Sequence, residues 1–141
     1  MDRIKSHQIP GKQRREIRQK ITADLAKMPE IVFAFLHGSF LSEPNFRDID
    51  LGIFVRGVDR SDHLNYEYRL SREIENTLHS SFVIEVKVIN EAPLSFCFHV
   101  ITGKLLFSRD EDFLMDFMIR TARDYLDMAP LRQQYITEAM A

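Results

Sequence analysis

Asp48 and Asp50, two positions apart, and Glu85, further along the chain, are the side chains in this sequence best placed to do chemistry together. Residues at i and i+2 of a strand project from one face, so the two aspartates stand side by side. Adjacent carboxylates repel each other unless hard cations neutralise them. Magnesium suits such a pair, because it prefers oxygen ligands, keeps several waters and completes its shell with substrate phosphates. Where two ions sit roughly 3.5 to 4 Å apart, they stabilise both the attacking and the leaving oxygen of an in-line displacement. A third carboxylate, Glu85, binds the metal nearest the attacking hydroxyl in this scheme and helps remove its proton. Upstream stand Gly38 and Ser39. The glycine lets the backbone approach a phosphate chain, and the serine hydroxyl and N–H can bond its oxygens. Taken singly, each feature has a plainer reading: a strand end in solvent, an exposed strand face, an ordinary turn. Their order and agreeing parity favour a metal site.

The elements that must position these groups follow from periodicity. Lys12 to Lys27 is rich in helix formers, with Ile17, Ile21, Leu25 and Met28 on one face and Arg14, Arg15, Arg18 and Lys20 on the other. The basic face is a solvated surface or an electrostatic guide for an anionic nucleotide or partner. Pro29 ends this helix. The apolar run Ile31–Leu36 predicts a buried strand entering the sharp turn His37-Gly38-Ser39. After a connection over Phe40–Arg47, a second strand spans Asp48–Val55, with Ile49, Leu51, Ile53 and Val55 on one face and Asp48, Asp50 and Gly52 on the other.

The segment 59–80 predicts an amphipathic helix striped by Leu64, Tyr68, Ser71, Ile74 and Leu78. In Phe82–Ile89, alternation sets Phe82, Ile84, Val86 and Val88 opposite Val83, Glu85 and Lys87. From Pro93 to Val100 the aromatic-rich pattern fits a helix or a strand, Gly103 marks a turn, and 104–108 fits a short strand. Asp110–Met128 predicts a helix with an acidic start and Leu114, Phe117, Met118, Thr121 and Tyr125 along one side. Pro130 is expected to break it, leaving Leu131–Met140 as a short amphipathic tail and a docking surface. The whole reads as α+β: a small twisted sheet backed by helices, one domain over 1–141 with 110–141 as its C-terminal helical segment.

Composition narrows the function classes. Hydrophobic residues at 45% and charged residues at 28% are ordinary for a soluble globular protein. A net charge of -2 lacks the basic excess of proteins that grip long nucleic acid, so no direct nucleic-acid binding is expected. No apolar run is long enough to cross a membrane, and no signal-peptide core follows Met1–Ser6. The single cysteine, Cys97, fits a reducing compartment and a buried apolar role. A cytoplasmic location is the expectation.

The run Phe35-Leu36-His37-Gly38-Ser39-Phe40, followed by Phe46-Arg47-Asp48-Ile49-Asp50-Leu51, resembles the signature of the DNA polymerase β nucleotidyltransferase superfamily in its minimal nucleotidyltransferase (MNT) branch. The resemblance extends to Glu85–Pro93 and to Ala122–Met128, and so covers most of the chain. It implies a polymerase β-like nucleotidyltransferase fold with a small mixed sheet and two magnesium ions. Asp48 and Asp50 are then ligands of both metals, Glu85 is the third acid, and Gly38 and Ser39 lie at the triphosphate of ATP. Many members of this branch are antitoxins that transfer AMP from ATP to a tyrosine of a partner HEPN ribonuclease toxin, and also bind it. A hetero-oligomer with a HEPN-domain toxin is therefore implied. The sequence departs from the pattern at Ser42-Glu43-Pro44, where many members carry a glycine, and at Glu85, where Asp is commoner.

Arg47 either balances the acids and touches a nucleotide phosphate, as a cofactor-binding residue, or is an exposed loop cation. Lys87 shares the face of Glu85, which suggests a cross-strand salt bridge ahead of a role at the triphosphate. His37 has no zinc-ligand spacing to another ligand and reads as a turn or packing residue. Three functions remain open: an adenylyltransferase acting on a protein hydroxyl, a non-catalytic antitoxin that works by binding alone, and a transferase for a small hydroxyl compound.

Overall fold

The computed structural model describes residues 10–46, 48–79 and 82–140. In chain order the elements are α1 (Gly11–Ala26), β1 (Ile31–His37), α2 (Ser39–Ser42), β2 (Asp48–Val55), α3 (His63–Leu78), β3 (Val83–Val88), α4 (Leu94–Ile101), β4 (Lys104–Ser108) and α5 (Glu111–Ala139), with one 3₁₀ turn at Arg60–Asp62 before α3. The strands form one mixed sheet in the order β3-β2-β1-β4. β1 runs antiparallel to both neighbours, and β2 pairs with β3 in parallel across the α3 crossover.

Each face of the sheet carries its own apolar cluster. Ile49, Leu51, Ile53 and Val55 of β2 join Ile84, Val86 and Val88 of β3 beneath α1 and α3. On the opposite face Phe33 and Phe35 pack with Val100 and Ile101 of α4 and Leu114 of α5. β1 is buried along its whole length, because it lies between two strands and is covered on both sides. A continuous apolar run suits such a position, whereas the alternating β3 has one open face.

α3 fixes the free edge of β3. The backbone N–H groups of Ile84, Val86 and Val88 donate to Glu75 Oε2 (3.0 Å), Ser71 Oγ (3.2 Å) and Glu67 Oε2 (2.8 Å). The acceptors are spaced four apart on the helix, and the donors two apart on the strand. Unpaired edge donors are thereby satisfied, and the intervening Glu85 is held facing the other way, over the sheet.

Two expectations fail in detail. The buried stripe of α3 is Tyr66, Leu70 and Ile74, while Leu64 and Tyr68 are 79% and 61% exposed. Both stripes obey helical spacing, and the side chains of Glu67, Ser71 and Glu75 turn the helix so that they reach the β3 edge. The second failure is at Pro130, where α5 does not break. Proline removes one N–H and crowds the carbonyl four residues earlier, that of Leu126. Leu126 and Leu131 are 58% and 61% exposed, so the freed carbonyl stands where water can reach the helix.

Candidate functional site

The polar site lies at one end of the sheet face that carries α4 and α5. Parallel pairing sets Asp50 beside Glu85, and antiparallel pairing sets His37 on the other side of Asp50. Carboxylate oxygens of Asp48, Asp50 and Glu85 come within 4.8 Å of one another. Asp48 and Asp50 are half-buried and Glu85 is exposed. Strand parity thus brings together the three acids expected from the sequence.

Their electrostatics centre on Asp50. Burial, the charge and hydrogen bond of Glu85 and the charge of Asp48 push the Asp50 carboxyl up to about 7. Asp50 therefore keeps its proton to moderate pH. Crowded oxygen donors, one of them protonated, fit a hard divalent cation, which can replace that proton.

Gly38 is required by geometry. Its φ is 82°, a left-handed value, and a Cβ there would stand 2.2 Å from Asp50 Oδ2. The close approach expected at a phosphate is thus already made to a carboxylate. Ser39 opens α2, whose backbone turns back on Gly38 through bonds from the N–H groups of Leu41 (3.1 Å) and Ser42 (3.2 Å).

Arg14 ties down the loop that links this turn to Asp48. From α1 its guanidinium donates to the carbonyls of Phe40 (2.5 Å), Glu43 (3.1 Å) and Pro44 (2.6 Å) and lies over the rings of Phe40 and Phe46. One residue of the basic helix face is thus a clamp on the loop between Gly38-Ser39 and Asp48, at the Glu43-Pro44 departure itself. Periodicity places Arg14 on a polar face but cannot show that a loop folds back onto it. Arg47 lies outside the described residues. Lys87 makes no ion pair among the described residues, so the expected cross-strand salt bridge is absent there; the residue lines the site instead.

His37 does more than pack. It is 6% exposed, and neither ring nitrogen has a hydrogen-bond partner among the described residues. The rings of Phe96 (5.6 Å) and His99 (5.2 Å) meet it edge to face. Burial and the neighbouring His99 lower its pKa to about 4, so the imidazole is neutral at pH 7. Phe96 and His99, which sequence reading did not single out, stand three apart on α4 and share a face. The helix-or-strand ambiguity of 93–100 hid that spacing. α4 comes this close because β2 carries Gly52, where a Cβ would stand 2.6 Å from Val100 Cγ1.

A four-stranded mixed sheet with acids on two adjacent strands, preceded by a Gly-Ser turn, is the polymerase β-like nucleotidyltransferase fold. The family model described as polymerase beta, nucleotidyltransferase, matches residues 19–112, and the chain belongs to this family. Solved structures agree on the fold. One is a tri-AMPylated HEPN toxin of Shewanella oneidensis in complex with MNT antitoxin, at 21% identity and a TM-score of 0.67, covering 91% of this chain and 99% of that one. Another is the toxin-antitoxin MntA-HepT, at 21% identity and TM-score 0.66, covering 90% and 99%. A third is a toxin-antitoxin with AMP-PNP, at 22% identity and TM-score 0.68, covering 88% and 98%. A search of curated proteins finds no match to this chain. Among the described residues no helix is long and apolar enough to cross a membrane.

Proposed function

We propose that this chain is the MNT antitoxin of a toxin–antitoxin pair, transferring AMP from ATP to a tyrosine hydroxyl of a HEPN-domain toxin. The observation that carries the reading is the convergence of Asp48, Asp50 and Glu85 beside the Gly38-Ser39 turn. Structural neighbours that include a tri-AMPylated HEPN toxin with its MNT antitoxin, and a toxin–antitoxin with AMP-PNP, support the donor, the acceptor class and the partner.

In this mechanism Asp48, Asp50 and Glu85 would hold the Mg²⁺ ions, with Asp48 and Asp50 shared between them. When bound, the ions neutralise the phosphates and the developing charge of the in-line displacement. The Ser39 hydroxyl and N–H orient the triphosphate. The acceptor oxygen forms a bond to the α-phosphorus, the bond from that phosphorus to the bridging oxygen breaks, and pyrophosphate leaves. Glu85 takes the proton of the acceptor hydroxyl and passes it to water. Arg14 keeps the turn and the acids in register.

α5 supports a protein partner. Met115, Ile119, Leu126, Ala129, Gln133 and Ile136 of α5, with Met140 at its C-cap, fall in a three-four repeat, a seam that suits another helix and is interrupted at Ala122, which packs on the core. Met115, Ile119, Leu126, Ile136 and Met140 are all more than half exposed. We assign this seam to the HEPN protein, which extends the docking surface expected after Pro130 back along the helix.

The test is magnesium-dependent incorporation of label from α-labelled ATP into a co-expressed HEPN partner. Asp48→Asn is expected to reduce it at least about 100-fold. Equal labelling by both proteins would falsify the catalytic reading. Full protection of cells by a chain carrying Asp50→Asn would instead leave an antitoxin that works by binding.

A further inference from the structure

A cavity of about 250 Å³ opens beside the acids, lined by His37, Asp50, Glu85, Lys87, Phe96 and His99. It includes the third acid but not Asp48, Gly38 or Ser39. It reaches from His37 across Asp50 to Glu85 and Lys87, in front of the acids, while the turn residues that would hold a triphosphate stay outside its lining. Its volume is several times that of one water, at about 30 Å³ of liquid each, so a larger guest fits. Glu85 and Lys87 also line the groove between α3 and β3, so the cavity opens sideways to the surface.

The lining suggests what the guest is. The His37 ring meets both the Phe96 and the His99 ring at right angles, and edge-to-face contacts of this kind are ones a further aromatic ring can make. The floor is the His37 imidazole with two unpartnered nitrogens, and a buried polar group left unpaired costs stability. His99 covers it from α4. That side chain is exposed and makes no hydrogen bond among the described residues, so little holds it in place.

We propose that this cavity is the acceptor subsite, in which the ring of a phenol side chain lies against Phe96 and His99 and its hydroxyl reaches His37 as the His99 ring turns aside. The inference rests on the transfer reading above and names where the acceptor sits. His37 gives the hydroxyl a hydrogen-bond partner within the site and holds the oxygen toward Asp50 and Glu85. A phenol satisfies both halves of the lining, whereas an aliphatic alcohol offers no ring and a phenylalanine no hydroxyl.

Binding of small probes tests this without catalysis. With imidazole nitrogens labelled, titration of N-acetyl-tyrosinamide followed by NMR is expected to move the His37 and His99 ring signals along one saturating curve. N-acetyl-phenylalaninamide is expected to move His99 alone, and N-acetyl-serinamide neither. Phe96→Ala should weaken tyrosinamide about three- to tenfold. His37→Phe, which keeps a ring in the floor, should leave tyrosinamide binding no tighter than phenylalaninamide. A His37 signal that stays still, or that responds equally to the phenylalanine probe, overturns the proposal. So does displacement of tyrosinamide by magnesium-ATP, which would make the cavity a nucleoside site. Tyrosinamide binding here without any AMP transfer would instead remove the catalytic reading and leave the subsite standing.

Discussion

On the sheet face that carries the acids, Asp50 and Phe54 stand four residues apart on β2 and meet different surroundings. Phe54 lies within 6 Å of the rings of Phe33, Phe113 and Phe117, where α5 closes the sheet. Asp50 lies where that closure stops, between His37 and Glu85, with a cavity in front of it. Gly52, between them, passes beneath Val100 of α4. At the sealed end aromatic edges and faces find partners, and burial stabilises the fold. At the open end partial burial raises the Asp50 carboxyl, lowers the His37 imidazole and leaves both ring nitrogens of His37 without a partner among the described residues. The same strands thus build a core and a site, and the difference lies in where the covering helices stop.

The largest expected effect separates the two ends by stability. Phe33 is fully buried at the sealed end, and Phe33→Ala should lower unfolding free energy by about 3–5 kcal/mol in denaturant titration. Metal affinity of the folded protein should stay within about twofold of wild type, because no acid touches that cluster. A large loss of affinity would mean that the two ends are one cooperative unit.

Gly38→Ala acts at the open end. The left-handed backbone costs a non-glycine residue roughly 1–2 kcal/mol, and the added Cβ collides with the Asp50 carboxylate. Calorimetry should show Mg²⁺ affinity falling at least about tenfold, with a smaller loss of stability than Phe33→Ala causes. Unchanged affinity would show that the approach of Gly38 to Asp50 has no part in the metal site.

A smaller effect comes from pH. The folded state holds the Asp50 proton up to about 7, while the unfolded chain releases it near 3.8. Between these values the folded state binds more protons, so Asp50 favours the fold less as pH rises. His37 works oppositely: held neutral down to about 4, it loses its contribution as pH falls from 6.5 toward 4. A cation at the acids displaces the Asp50 proton, so Mg²⁺ affinity should rise by up to about tenfold per pH unit below 7 and level off above it. Titrations at pH 6, 7 and 8 that give one affinity would show that no Asp50 proton competes with the cation.

The contrast between the ends also explains what the sequence makes legible. Alternation in β2 and β3 places Asp50 and Glu85 on one face, because a period of two is a property of the strand itself. That they are neighbours depends on register, which pairs Asp50 with Glu85 and which no local pattern encodes. The α3 stripe is ambiguous in the sequence because Leu64 and Tyr68 keep helical spacing as well as Tyr66 and Leu70 do, and contacts with the β3 edge choose between them. Arg14, Phe96 and His99 reach the site from distant elements, so only the folded chain reveals them. Pro130 shows the converse: a strong local rule yields where the helix is exposed and water can serve the freed carbonyl.

If the open end of this sheet face is a metal centre for a nucleotide, bound Mn²⁺ can be counted there by electron paramagnetic resonance. With a non-hydrolysable ATP analogue present, wild type should bind two ions per chain, and Asp50→Asn should lose at least one of them. Equal counts and affinities in the two proteins would contradict the account.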